Sequence, residues 1–179
     1  MTDSLNYILS KIEEISDSKL RKLCEIVITD KEFLEGFGAK SHHHNYKSGL
    51  LIHTAEVLEN VLSVNLDYLN KDILIVSAVW HDYLKKKDYT LNEKNEIIYT
   101  EYKEKIYHIS GSWAEFYHQA KLIGIDEKII ETIGHCLLSH HGRPEWGSAI
   151  TPRTPESVVL HWADCMSAWF ENGKFKEKS

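Results

Sequence analysis

The chain has 179 residues, 42% of them hydrophobic and 27% charged, with a formal net charge of −6. That composition suits one globular domain, excludes a disordered chain, and argues against holding long nucleic acid through the overall field, which requires many neutralised phosphates. The longest apolar run, Ile73 to Trp80, is far short of a bilayer span, and the N-terminus MTDSLNYILS lacks the basic start of a signal peptide, so a cytoplasmic protein with no membrane partner is expected.

From Leu5 onward the apolar positions Leu5, Ile8, Leu9, Ile12 and Ile15, then Leu20, Leu23, Ile26 and Val27, recur at three- and four-residue steps. They predict two amphipathic helices reaching Glu35, with Ser16-Asp17-Ser18 as the break and as a cap for the second. Gly36 and Gly38 close this segment, and SHHHNYKSG leads into a helix from about Gly49 to Val64. Asp72 is placed to cap a helix carrying ILIVSAVW, apolar on nearly every side as a buried central helix must be, with His81 and Asp82 at its end.

Residues 86 to 107 are polar, with β-branched and tyrosine residues around Asn92-Glu93-Lys94-Asn95, and are read as a small hairpin or excursion. Helical periodicity resumes from about Ser110 to Leu122, and again from Asp126 through Leu137. The second of these helices is expected to end at Ser139-His140-His141-Gly142, with Gly142 at the left-handed C′ position. After RPEWGSAITPR, Thr154 as N-cap and Pro155 at N1 start a last helix through Phe170.

Chemistry-bearing residues stand out against this apolar background. Asp164 lies within VVLHWADCMSAWF, where a buried carboxylate needs a cation: a metal ion, or a histidine or lysine partner. His81-Asp82 repeats the anomaly at the end of the most apolar helix, although the dipeptide by itself reads sooner as a partly exposed helix-end pair. Imidazole with carboxylate suits manganese, iron, cobalt, nickel or zinc better than calcium. His53, early in an amphipathic helix, reads equally as a ligand or a satisfied core residue. Cys24, Cys136 and Cys165 lie far apart without CxxC spacing and are read as buried thiols.

The order His53, His81-Asp82, Asp164 resembles the HD-domain superfamily of metal-dependent phosphohydrolases, whose ligands occur as His, His-Asp, Asp on separate helices. The resemblance is closer still to the HD domain of YhaM-type 3′-to-5′ exoribonucleases. Their HHxYxxGLxxHT pattern matches His43-His44-Asn45-Tyr46 through Gly49-Leu50 to His53-Thr54, their LSHHG-[KR] block matches Leu138 to Arg143, and their LHxxD block matches Leu160 to Asp164. It implies an all-α helical bundle forming one domain: an N-terminal helical segment over 1–38, an HD core over 39–170 and a polar tail over 171–179.

Carried over residue by residue, the resemblance implies one or two divalent ions. His53, His81, Asp82 and Asp164 would hold the first. His108 and His140, with His141 as the alternative to His140, would bind a second ion or a phosphate. Asp82 and Lys85 take catalytic roles, Lys85 matching the lysine of the HDxGK signature. Arg143, Lys85, His43 and His44 are assigned to substrate. His135 and His161 are placed behind the ligands, His161 one turn from Asp164 so as to orient it, while His42 and His118 are read as surface residues.

Two departures from the family pattern are read: Leu84 stands where HDxGK has glycine, which predicts a reshaped turn and a narrowed pocket, and the helical segment before the core is expected to stand without the OB-fold of the YhaM-type enzymes. The expected activity is hydrolysis of a phosphodiester in a short oligonucleotide, cyclic nucleotide or nucleotide. The alternatives are a phosphomonoesterase or a non-catalytic metal- or nucleotide-binding module. Oligomeric state is left open.

Overall fold

The computed structural model describes residues 2–40, 44–171 and 174–175. In chain order these form α1 (Thr2–Glu13), α2 (Ser18–Ile28), α3 (Lys31–Leu34), α4 (Gly49–Ser63), α5 (Lys71–Trp80), a 3₁₀ turn (Tyr83–Lys87), β1 (Tyr89–Leu91), β2 (Ile97–Tyr99), α6 (Glu101–Lys105), α7 (His108–Ile123), α8 (Glu127–Ser139), a second 3₁₀ turn (Pro144–Trp146), α9 (Pro155–Trp169), β3 (Phe170–Glu171) and β4 (Lys174–Phe175). The fold is an all-α bundle, to which the strands add two small antiparallel pairs, β1 with β2 and β3 with β4.

α5 is the axis. Every residue from Ile73 to Trp80 is buried, and α1, α2, α4, α8 and α9 all pack against it. A helix enclosed on all sides must be apolar all round, which is why ILIVSAVW shows no polar face. The apolar faces of α1 and α2 enter the same cluster through Ile8, Ile12, Leu20 and Leu23, alongside Leu50, Val57, Phe116, Ile133 and Leu160. Trp80 donates its indole N–H to the Leu23 carbonyl at 3.2 Å, so the largest core side chain leaves no orphaned donor.

Local chemistry sets the helix ends, and it corrects several sequence expectations. The second N-terminal helix stops at Ile28, and Asp30 caps a separate short α3 by accepting from the Glu32 and Phe33 amides. Asn70 rather than Asp72 caps α5, accepting from the Ile73 amide at 3.2 Å; Asp72 accepts instead from the Ser16 amide and hydroxyl and ties the α1–α2 turn to α5. The expected hairpin is confined to β1 and β2, with Asn95 in the left-handed region at their turn, and the rest of 86–107 belongs to the 3₁₀ turn and α6.

α8 ends at Ser139 with His140 as its C-cap, so the left-handed Gly142, at φ 84°, falls one residue beyond C′. α9 ends at Trp169, and Phe170 opens a strand. At its start Thr154 and Ser157 form the reciprocal capping box, with Pro155 at N1. The polar tail expected over 171–179 is corrected in part, since Glu171 and Lys174–Phe175 belong to the β3–β4 pair, while 172–173 and 176–179 lie outside the described residues.

Because α9 carries an acidic member of the site, its start should matter to stability. Thr154→Ala removes the acceptor for the Ser157 amide and is expected to cost about 1 kcal/mol, a fall of roughly 2–4 °C in Tm measurable by thermal circular dichroism.

Candidate metal centre

Two groups of side chains converge on one buried carboxylate. His53, His81, Asp82 and Asp164 place one ligand atom each within 4.8 Å of one another, and Asp82, His108, His140 and His141 do the same. The groups divide the two oxygens of Asp82. His53 Nε2 lies 3.3 Å and His81 Nε2 3.4 Å from Oδ2; His108 Nε2 lies 3.2 Å and His140 Nε2 3.6 Å from Oδ1. Asp164 closes the first group, its Oδ1 3.1 Å from His53 Nε2.

The tautomers follow from what each ring holds with its other nitrogen. His81 Nδ1 donates to Ala78 O and His140 Nδ1 to Leu137 O, both at 2.7 Å. These carbonyls belong to the last turns of α5 and α8, where the helix supplies no N–H of its own. Each histidine thus caps the helix it has just left, and the cap leaves Nε2 as a bare lone pair. His141 Nδ1 donates to Trp146 O at 2.8 Å with the same result.

His53 and His108 use side chains instead. Ser167 donates its hydroxyl to Glu56 at 2.7 Å, so its oxygen must accept from His53 Nδ1, 2.8 Å away. Asp88 Oδ2 accepts from His108 Nδ1 at 2.6 Å. Carboxylate–histidine pairs of this kind fix ring orientation and raise ligand basicity.

The donor set fits a divalent cation. Among the described residues, Asp82 Oδ1, His108 Nε2 and His140 Nε2 are buried acceptors without a hydrogen-bond donor, an arrangement that costs free energy unless a cation satisfies it. Burial keeps His81 and His108 below the usual imidazole range and His141 down to about 3, so these rings are neutral and ready to ligate. At His53 burial is outweighed by Asp164 and Asp82, which raise its pKa, and a proton there competes with a cation for one place. For Asp82, burial is overcome chiefly by Lys85, and the carboxyl stays well below its ordinary range.

Other expected residues fall as follows. Lys85 is buried with Nζ 2.6 Å from Asp82 Oδ2, so its cation belongs to the carboxylate. Leu84 corrects the expectation of a narrowed pocket: it is 6% exposed, its amide donates to Ser112 Oγ of α7, and its side chain joins the core. The 3₁₀ turn needs no positive φ there, so glycine is not required.

His44 is buried behind His53 rather than open to substrate, its ring 5.3 Å from that of His53 and its Nε2 3.1 Å from Glu56. Gly49 permits this, because a Cβ there would meet the His44 carbonyl at 2.0 Å. His42 and His43 lie outside the described residues. His135 turns away, accepting from the Arg153 amide at 2.9 Å, since five residues carry it off the His140 face. His161 donates Nδ1 to His140 O at 2.7 Å, steadying that residue rather than Asp164. His140 and His141 are not alternatives, since both enter the second group beyond the end of α8. Arg143 and His118 are exposed.

Sequence reasoning missed four residues. Glu56 and Ser167 each lie three positions after a ligand, one turn along the same helix face, a polar signal that was there to be read. Asp88 was hidden in a lysine-rich stretch; burial pushes its carboxyl up to about 7, with Lys103 opposing. Tyr107 has no sequence signal: it adopts φ 68°, ψ 143°, rare for a non-glycine residue, and lays its ring 4.2 Å from that of His108.

Two losses are expected. Ser167→Ala removes the acceptor of His53 and should weaken binding of the first ion 10- to 100-fold, roughly as other such deletions do, read by calorimetric titration with manganese. Asp88→Asn can present its amide N–H instead of an acceptor to His108; manganese binding in the same titration should weaken, since His108 loses the group that fixes its ring.

Comparison with known proteins places these residues in context. The model of the HD domain matches residues 50–169. A protein named 3′-5′ exoribonuclease YhaM from Shouchella clausii is 32% identical over 170 residues, covering 93% of this chain and 53% of its own length. Its namesake from Bacillus licheniformis is 29% identical, with 93% and 54% covered, and that from Bacillus subtilis 28%. The chain therefore spans about half the length of the curated relatives it matches. No solved structure matches it.

Proposed function

The chain belongs to the HD-domain family, and from that premise we propose that it is a metal-dependent phosphohydrolase cleaving phosphodiesters, with short oligonucleotides and nucleotides as its substrate class. One observation carries this reading: each oxygen of buried Asp82 faces its own set of imidazoles, the arrangement a carboxylate shared by two cations requires. In this reading His53, His81, Asp82 and Asp164 hold one ion, and Asp82, His108, His140 and His141 hold the other. Bound divalent ions supply Lewis acidity, which polarises a phosphoryl oxygen and makes water a usable nucleophile near neutral pH.

The protein's own groups do the rest. Glu56 with Ser167, Asp88, and the carbonyls of Ala78, Leu137 and Trp146 keep the Nε2 lone pairs aimed inward. Asp164 and His141 are the partly exposed members of their groups, so substrate approaches past them. Exposed Arg143, two residues after His141, is available to a phosphate as a planar bidentate donor. The relatives' name, 3′-5′ exoribonuclease, describes diester cleavage and favours a diesterase over a monoesterase.

The test compares bis(p-nitrophenyl) phosphate, p-nitrophenyl phosphate and a short single-stranded oligoribonucleotide with manganese. Diester turnover exceeding monoester turnover, abolished by chelator and at least about 100-fold slower in Asp164→Asn with unchanged circular dichroism, is expected. Preferential monoester turnover would make the protein a phosphatase. Turnover of neither, with metal bound, would make it a non-catalytic module.

A further inference from the structure

Beside the metal centre lies a groove of about 670 Å³, within the size range of small-ligand sites. Trp162 and Met166 of α9 line it together with Trp146 and Arg143 of the segment after α8. The groove is unusual for an outward-facing surface: Trp162 is 61% and Trp146 56% exposed, and the Arg143 guanidinium lies 5.2 Å over the Trp146 ring. Exposed tryptophans on one helix face and the turn opposite it demand an explanation that core packing does not supply.

The groove begins where the centre opens. Gly142 and Arg143 directly follow His141, and Cys165 directly follows Asp164, the two ligand-group members that reach solvent. His161 forms the floor, hydrogen-bonded to the backbone of His140 and stacked 6.3 Å from Trp146 at 23°. Gly142 cannot carry a side chain here, because a Cβ would meet the His161 ring at 2.3 Å. On α9, His161 and Cys165 sit about 60° and 100° around the axis from Asp164, on the shoulder between the metal face and the tryptophan face.

We propose that this groove is a nucleobase-stacking subsite, which holds a base of a single-stranded substrate against its exposed tryptophans, Trp162 and Trp146, while Arg143 takes an adjacent backbone phosphate. The occupant follows from the combination: flat aromatic faces accept any base, a guanidinium accepts phosphate, and both adjoin a centre suited to phosphodiesters. A second copy of the chain would use the apolar faces but would not call for Arg143 at the mouth of the metal centre. The subsite deepens the phosphodiesterase reading and rests on it for the placement of the phosphate.

The experiment has two readouts. With the manganese-loaded protein, Trp162→Ala and Trp146→Ala should each raise KM for a short oligoribonucleotide about 10-fold with little change in kcat, and Trp162→Phe should restore much of the loss. Separately, with metal chelated, fluorescence anisotropy should show the native protein binding a labelled oligoribonucleotide more tightly than an abasic backbone of the same length, a preference lost in Trp162→Ala. If the native protein cleaves no diester, the functional reading fails and the anisotropy arm alone decides the groove. Equal binding of the abasic and base-bearing strands overturns the subsite. So does a Trp162→Ala variant that passes from dimer to monomer in sedimentation while keeping the native preference for bases.

Discussion

One buried carboxylate organises this protein. Asp82 is 1% exposed and surrounded by imidazole nitrogens on both oxygens, with a single lysine as its direct cationic partner. A charge so placed is tolerable only if cations complete its surroundings, because desolvation of an ion costs several kcal/mol and more when a partner is missing. Lys85 supplies one positive charge at Oδ2, and the cluster at Oδ1 has none among the described residues. The demand for a cation is therefore a property of the folded chain itself.

Meeting that demand fixes how the helices end. His81 and His140 sit where α5 and α8 stop, and each spends its ring N–H on a carbonyl three residues back. Helix termination and imidazole orientation are the same hydrogen bond, so neither ring can turn without leaving a carbonyl unsatisfied. α4 and α9 meet the centre differently. Their members of the cluster, His53 and Asp164, lie within regular helix, and Ser167 of α9 and Glu56 of α4 link the two helices behind the site. The bundle is held rigid around the residues that must aim at one point, which preorganisation requires.

The centre is closed behind and open in front. His53, His81, His108 and His140 are at most 1% exposed, whereas Asp164 and His141 reach solvent beside Arg143 and the tryptophan groove. Strain is found there too: Tyr107 takes positive φ and lays its ring against that of His108, 4.2 Å away, with the His141 ring at 6.1 Å. Such backbone persists only where its surroundings over-determine it.

Much of this was legible in the chain alone. Periodicity marked most of the helices, the unbroken apolar run marked α5 as central, and Thr154-Pro155 marked the start of α9, because each of these is a local signal. Polar residues stranded in apolar helices, His53, His81-Asp82 and Asp164, were ambiguous one by one, and only their order within the surrounding motifs singled them out. What the residues could not show singly was convergence. That His140 and His141 both face Asp82, that His161 steadies His140 rather than Asp164, that Leu84 turns into the core, and that Asp88 lies behind His108 depend on how helices distant in sequence cross. Those crossings are set by packing among side chains far apart in the chain, to which no local pattern gives access.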